Sequence, residues 1–372
     1  MKKIIVSVTN DLVTDQRVDR VCNTLVKMGF EVLLIGRRLK ESLPLGRRPY
    51  RMKRMRLLFR RGPCFYAEYN IRLFLFLLFR PAGIFLSNDL DTLPANFLAA
   101  GIRRKALVYD SHEYYTETPE LVNRKTVQAV WRFIEGRIFP RLRHVYTVNG
   151  SIAALYSKKY NVPVHVVRNL PCRREPQPGI KENDNPFPPG KKVILLQGAG
   201  INMQRGAEEM VEAMRYISGA VFVIIGGGDV IDDLKQQVKE TGLSGKVMFI
   251  PKVPFEALHA YTVQADIAVT LDKDTNLNYR YSLPNKLFDY IQARVPVLAS
   301  DLPEIAGIVK QYEIGMLVSG HEPEMLAKAV NNMLNNKERY KVWKENLSFA
   351  ADELCWENEE KKLIPIFSAF AG

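Results

Sequence analysis

A chain of 372 residues that is 47% hydrophobic and 25% charged holds enough apolar material for two cores, which excludes a disordered or low-complexity chain. Its four cysteines, Cys22, Cys64, Cys172 and Cys355, are scattered without a Cys-x-x-Cys pair, which speaks against a disulfide framework or a cysteine-based zinc site. The net charge of +13 is uneven: residues 1–174 carry 32 Lys and Arg against 13 Asp and Glu, the remainder 21 against 27, so the first half suits an anionic partner.

The chain opens on MKKIIVSV, an apolar run that stops at Asn10-Asp11 and is too short for a signal peptide. It reads as a first strand. No segment reaches the roughly 18 apolar residues of a membrane span, and the expectation is a cytoplasmic protein. In TNDLVTDQR, Asp15 is placed to cap a helix whose Val18, Val21, Leu25 and Met28 share one face and which ends at Gly29. EVLLIGR, GIFLSN and ALVYDS follow as strands. Between them, residues 47–62 (RRPYRMKRMRLLFRRG) hold eight Arg or Lys and no acid, interleaved with Tyr50, Met52, Met55, Leu57, Leu58 and Phe59. NIRLFLFLLFR then runs apolar almost all round between Arg72 and Arg80. A buried helix beside a solvated basic face is one reading. Nucleic-acid binding would need a module that is not recognisable, so no nucleic-acid partner is expected. Docking on an anionic membrane surface through residues 47–80 fits best, because each cation near such a surface gains about 1 kcal/mol. In SNDLDT, which has Asp-x-Asp spacing, Asp91 reads as a helix cap, and VYDSHEYY puts His112 and Glu113 just past a strand.

PCRREPQPGIKENDNPFPPGKK is rich in proline and polar residues and reads as a linker, 173–190, between domains at 1–172 and 191–352. KVILLQG, AVFVIIG, KVMFIP, DIAVTL and VPVLAS are the later strands, separated by helical segments such as GDVIDDLKQQVKETG. Strands apolar throughout and alternating with helices imply an α/β protein of two doubly wound, Rossmann-like domains. Ligands in such sheets sit at the carboxyl ends of strands. There LLQGAGINMQRG offers Gly198, Gly200 and Arg205-Gly206; the arginine suits a phosphate held by two parallel hydrogen bonds, or a plain surface loop. Gly226 opens the triplet of IIGGGDV, which does not match G-x-G-x-x-G. DKD at 272–274 reads as loop. Asp301 and Glu304 have capping-box spacing, and Glu304 is kept among the donor-side candidates. Ser282 opens the most informative stretch, SLPNKLFDYI. A helix is expected from Pro284 with Leu283 as its cap, a residue without a side-chain acceptor. Either Ser282 caps the turn and Lys286 pairs with Asp289, or the bare turn at Pro284-Asn285 awaits a phosphate.

FIPKVPFEALHAYTVQADIAVTL, SLPNKLFDYIQARVPVLAS and LPEIAGIVKQYEIGMLV together resemble the donor domain of the family-4 (group 1) retaining glycosyltransferases. The resemblance implies the GT-B architecture, two Rossmann-like domains facing across a cleft that holds a nucleotide-sugar. Of that family's paired glutamates, the ribose-binding one falls on Asp289 and the sugar-contacting one on Tyr281, a departure. Of its basic pair, the lysine matches Arg205, while the arginine would fall near Ala199 and is missing; by position, Lys286 can replace the lost charge. Lys252-Val253 matches the backbone that holds the base. His112 matches a histidine near the donor sugar. Asn10, Asp15, Arg17 and Glu113 are placed on the acceptor side, with Arg17 facing the diphosphate. Asn169 matches a residue that closes the first domain, and a last helix at about 353–372, packed by Trp356, Leu363 and Ile364, is expected to cross back onto that domain. The implied activity is sugar transfer from a nucleotide-diphosphate-sugar to a lipid-linked or saccharide acceptor at the inner face of a membrane, with no cofactor or catalytic metal. A sugar-nucleotide epimerase is the alternative enzyme, and a non-catalytic membrane-surface subunit the alternative from another class.

Overall fold

The computed structural model describes residues 2–40, 42–175 and 186–370. They fall into two units, Met1–Asn169 with Trp356–Gly372, and Leu170–Cys355. In the first unit β1 (Lys3–Ser7), β2 (Glu31–Arg37), β3 (Arg51–Met55), β4 (Ile84–Asn88), β5 (Ala106–Ser111), β6 (His144–Thr147) and β7 (Val164–Val166) form one sheet in the order β3-β2-β1-β4-β5-β6-β7. In the second, β8 (Lys192–Gly198), β9 (Ala220–Gly226), β10 (Val247–Ile250), β11 (Ile267–Thr270), β12 (Val297–Ser300) and β13 (Gly315–Val318) lie in the order β10-β9-β8-β11-β12-β13. Every strand pairing is parallel. Strand order reverses between β1 and β4 and again between β8 and β11. Those switch points are where doubly wound sheets receive ligands.

Central strands such as β4 and β11 are buried at every residue, which is why they read as unbroken apolar runs. β3 is different. It is the edge strand of the first sheet, RMKRM, with only Met55 buried, and it occupies the middle of the basic segment that the sequence pattern leaves without a strand. Cations along an edge also discourage pairing with another chain.

The first helix, α1 (Gln16–Lys27), starts where expected: the Asp15 carboxylate accepts a hydrogen bond from Val18 N at 3.1 Å. α2 (Gly62–Phe79) buries Phe65, Tyr69, Leu73 and Leu77 at four-residue intervals. Ile71, Leu75 and Phe79 repeat at the same interval on another face and are 60%, 48% and 82% exposed. α3 (Asp89–Arg103) is capped by Asn88, so Asp91 lies inside its first turn and is not the cap.

The helix Trp356–Ser368 lies within the first unit, where Trp356, Leu363, Ile366 and Phe367 pack with Val18, Val21 and Leu25. The Trp356 indole donates to Thr24 Oγ1 at 3.1 Å. Ile364, expected in that contact, is instead exposed, and Ile366 takes its place. Asn169 ends the first stretch of this unit, its side chain accepting from Arg20 at 2.5 Å. Of the stretch expected as a linker at 173–190, residues 176–185 lie outside the described residues; Arg174 N donates to Gln292 Oε1 at 2.9 Å, and Phe187 packs in the second core.

Candidate functional site

The second unit concentrates its site residues at the ends of β8, β9 and β11. Gly198 and Gly226 are register partners, and a Cβ on Gly226, whose φ is +134°, would lie 1.8 Å from Gly198 O. Only glycine permits that approach. Gly227 N then donates to Gly198 O at 3.2 Å and Ile201 N to Gly227 O at 2.9 Å, folding one loop onto the other, while the Lys252 stem covers Gly227. Further along, Gly206 (φ +72°) is pressed against Leu271, which sets Arg205 beside Asp272. Arg205 Nη1 lies 3.2 Å from Asp272 Oδ1, and its guanidinium stacks over the Tyr279 ring at 4.8 Å. Asp272 is fully buried and accepts from Thr270 Oγ1 at 3.3 Å. It was the residue that sequence reasoning missed, taken for loop. The available signal is its position two residues past the end of β11, close to the strand-end signal that singles out His112.

Lys286 completes the group. Burial lowers its pKa, Asp272 opposes that, and Arg205 adds to it. Arg205 is thus paired with a buried carboxylate whose field Lys286 also feels. Lys286 stands in the first turn of the helix Asn285–Gln292, whose cap residue is Pro284, one position later than the pattern suggested, and the cap makes no side-chain hydrogen bond. Ser282 does not cap this helix; its hydroxyl donates to Tyr279 O at 2.9 Å. The helix start therefore adds the positive end of its backbone dipole to the two cations.

The other donor-side candidates surround this group less closely. Asp289 lines a cavity of about 10 Å³ with Arg174, Gln197 and His259, room for about one water. Burial and the nearby Arg174 push the His259 pKa down to about 4. Tyr281 closes the short helix Leu277–Arg280, with the Arg280 guanidinium 5.9 Å from its ring centre. Val253 is partly buried against the second core. Glu304 lies in the first turn of the helix Pro303–Tyr312, but Leu302 is the cap and Asp301 pairs with Lys310 at 3.1 Å, so the capping box does not form.

In the first unit the polar groups gather at the ends of β4 and β5. His112 Nδ1 lies 3.3 Å from Asp89, and Nε2 lies 3.3 Å from Asp110 and 3.1 Å from Asn88 Oδ1. Its backbone N donates to Asp89 Oδ1 at 2.8 Å. Burial works against a charged imidazole, but Asp89 and Asp110 outweigh it and hold the His112 pKa at about 10. Burial likewise opposes the Asp110 carboxylate, yet Arg17 and His112 bring it down to about 2. Arg17 does not face a diphosphate. It is buried, donating from Nη2 to Asp110 Oδ1 at 2.7 Å, from Nε to Oδ2 at 3.0 Å, and from Nη1 to Val167 O at 2.9 Å. The pattern misplaced it because its partner lies on another strand. Asn10 reaches Asp15 at 3.4 Å on the surface, and the Glu113 carbonyl accepts from Ser111 Oγ at 2.8 Å. Asp91 is buried, its Oδ2 accepting from Thr9 Oγ1 at 2.6 Å, and burial plus the Asp89 charge push its pKa up to about 7. Among the described residues, no group of three or more His, Cys, Asp or Glu side chains is placed to hold a metal ion.

Comparison with known proteins gives the family and the fold. Residues 15–170 match the family model described as Glycosyltransferase Family 4, and residues 180–348 match that of Glycosyl transferases group 1. Over 155 residues the chain is 25% identical to a GDP-mannose-dependent alpha-(1-6)-phosphatidylinositol monomannoside mannosyltransferase of Mycobacterium tuberculosis, a match spanning 40% of each chain. Among solved structures, a sucrose-phosphate synthase from Thermosynechococcus elongatus superposes with a TM-score of 0.79 at 16% identity, covering 99% of both chains. The glycosyltransferase WaaG of lipopolysaccharide biosynthesis gives 0.74 at 14% identity, over 98% of this chain and 99% of that one. Anabaena Alr3699/HepE, solved with UDP and glucose, gives 0.73 at 13% identity over the whole of both. With both sheets parallel and the two models matching on either side of the boundary between the units, the chain belongs to the group 1, family 4 glycosyltransferases and has their GT-B fold.

Proposed function

We propose that the protein transfers a sugar from a nucleotide-diphosphate donor to a hydroxyl acceptor, with retention of anomeric configuration. One observation carries the reading: Arg205, paired with the buried Asp272, and Lys286, in the first turn of a helix whose cap residue offers no side-chain acceptor, set positive charge at these strand ends. The difficult step is departure of the diphosphate while positive charge builds on the sugar. Two fixed cations and the helix N-terminus offset the charge that develops on the leaving group. Each such donor is worth about 3–4 kcal/mol of transition-state stabilisation, or roughly 10²–10³ in rate. In this reading Asp289 holds the ribose, the backbone at Lys252-Val253 the base, and protonated His112 positions the donor sugar. The leaving phosphate takes the acceptor proton, so no protein base is required.

A lipid-linked or cell-surface saccharide is the acceptor we favour. The exposed face of α2 and the cations of β3 support contact with an anionic membrane surface. Among the described residues no helix is long and apolar enough to cross a membrane, so such contact would be peripheral. The mycobacterial relative, whose name specifies a phosphatidylinositol monomannoside, points to the same acceptor class.

Incubation of the pure protein with UDP-, GDP- and ADP-sugars tests the reading. Slow release of free nucleoside diphosphate is expected with one of them, and Arg205→Ala should lower that turnover at least tenfold. Near-wild-type turnover in the variant would remove the assignment. Tyr281 in place of the family's glutamate favours a second reading, a non-catalytic membrane subunit, which predicts lipid binding and no nucleotide binding at all.

A further inference from the structure

A separate pocket lies in the first unit where the carboxyl ends of β2 and β3 meet, with a volume of about 400 Å³, in the range of small-molecule sites. Five of its lining residues are cations: Arg37, Arg38, Lys40, Arg56 and Arg60. None of them takes part in an ion pair among the described residues. Among the described residues the acids nearby are already committed, Asp11 to Arg54 at 2.7 Å and Glu68 to Arg72 at 2.8 Å; Glu41, next to Lys40 in the chain, lies outside them.

Both walls are tied down. On one side the Glu68 carboxylate accepts from Leu58 N and Phe59 N, each at 2.9 Å, which fixes the turn carrying Arg56 and Arg60. Arg37 reaches across to Arg60 O at 3.2 Å and stacks over the Phe65 ring at 4.5 Å. On the other side Arg38 N donates to Met55 O at 2.9 Å, Leu39 N to Ser42 Oγ at 2.8 Å, and Arg54 to Leu43 O at 2.7 Å. Like charges gathered in a held pocket repel one another, and the repulsion is relieved by an occupant bearing more than one negative charge. Four of the five are arginines, whose planar forks match phosphate oxygens in pairs. The rim is apolar: Leu57 and Phe59 line the pocket, and Leu58 and Leu43 beside it are exposed.

We infer that this pocket binds the phosphate or diphosphate headgroup of a membrane lipid, with the apolar rim against its first chain carbons. The inference deepens the membrane reading above and rests on it for the lipid. It also separates two kinds of contact: β3 and α2 would meet the surface through charge and area, while the pocket would select a headgroup.

The test uses the full-length protein and two double variants that each remove two cations from the same segment. Arg56→Ala/Arg60→Ala empties the pocket, and Arg51→Ala/Lys53→Ala strips the edge strand; thermal melts confirm that both are folded. Flotation with phosphatidylcholine vesicles containing phosphatidic acid is compared with vesicles containing phosphatidylserine at matched surface charge. Wild type is expected to bind the phosphatidic acid vesicles at least fivefold more tightly. The pocket variant should lose that preference, and the edge variant should weaken on both surfaces while keeping it. Equal losses in the two variants, or a preference that survives in the pocket variant, overturn the inference and leave the membrane reading standing. A wild type that binds neither vesicle overturns both. Inorganic pyrophosphate, tested by thermal shift in the Arg205→Ala background, separates the sources: a shift as large as that given by phosphatidic acid in detergent, and lost in the pocket variant, would make the occupant a soluble phosphate and overturn the lipid assignment.

Discussion

The strand-end clusters of the two units are built from similar parts and close in opposite ways. In the first, Arg17 and His112 face Asp110 and Asp89, two cations to two carboxylates, with Arg17 and Asp110 wholly inside the unit. In the second, Arg205 alone pairs with Asp272, Lys286 stands in the first turn of the neighbouring helix, and that helix start adds more positive potential. A closed cluster spends its charge on holding strands and loops together. An open one retains charge for something outside the chain, at the expense of cation–cation repulsion when nothing is bound. On the proposed function, the difference assigns a structural duty to the first cluster and the leaving group to the second.

Removing one member of each cluster is the strongest way to break this contrast. Arg17→Ala leaves the buried Asp110 without its main partner and should destabilise the protein by about 3–5 kcal/mol in urea unfolding. Arg205→Ala, whose guanidinium is partly exposed although Asp272 is buried, should cost less than Arg17→Ala. Comparable losses would erase the distinction between closed and open. Next in size is ligand stabilisation. At about a hundredfold excess over Kd, the preferred nucleoside diphosphate should stabilise the wild type by about 2.7 kcal/mol. That gain should vanish in Arg205→Ala and Lys286→Ala and persist in Arg56→Ala/Arg60→Ala.

The titration of His112 sharpens the comparison further. Its folded pKa of about 10 lies above the ordinary imidazole value, so its stabilisation is complete below about pH 6.5 and is lost as pH rises through 10. Melting temperatures measured from pH 7 to pH 10.5 should fall in the wild type and fall less steeply in His112→Gln. Asp91 titrates with the opposite sign. A carboxyl raised to about 7 is a liability once the unfolded chain ionises, and the resulting loss of stability grows from about pH 4 to pH 7. Asp91→Asn should therefore be stabilised relative to wild type above pH 7, with the gain shrinking to nothing near pH 4. A gain independent of pH would point to repacking instead.

What could be read in the chain beforehand follows from how local each signal is. The bare helix start was legible because Leu283 and Pro284 offer no side-chain acceptor, a property of two neighbours. The long central strands were legible because burial on both faces leaves nothing but apolar residues. β3 was not, since an edge strand needs few apolar positions and RMKRM looks like any solvated basic run. Arg17 and Asp272 were misjudged for a shared reason. Arg17 is defined by Asp110, and Asp272 by the close approach of Gly206 to Leu271, contacts between residues far apart in the chain.

The route of the chain through the first core sets the order of its biogenesis. Synthesis delivers the first sheet early, but Trp356, Leu363 and Phe367, which complete that sheet's core, emerge last. The second unit, Leu170–Cys355, leaves the ribosome whole before the first can finish. A nascent chain halted at residue 355 would thus carry a finished second unit and an unsealed first one, with the apolar flank of α1 awaiting its cover.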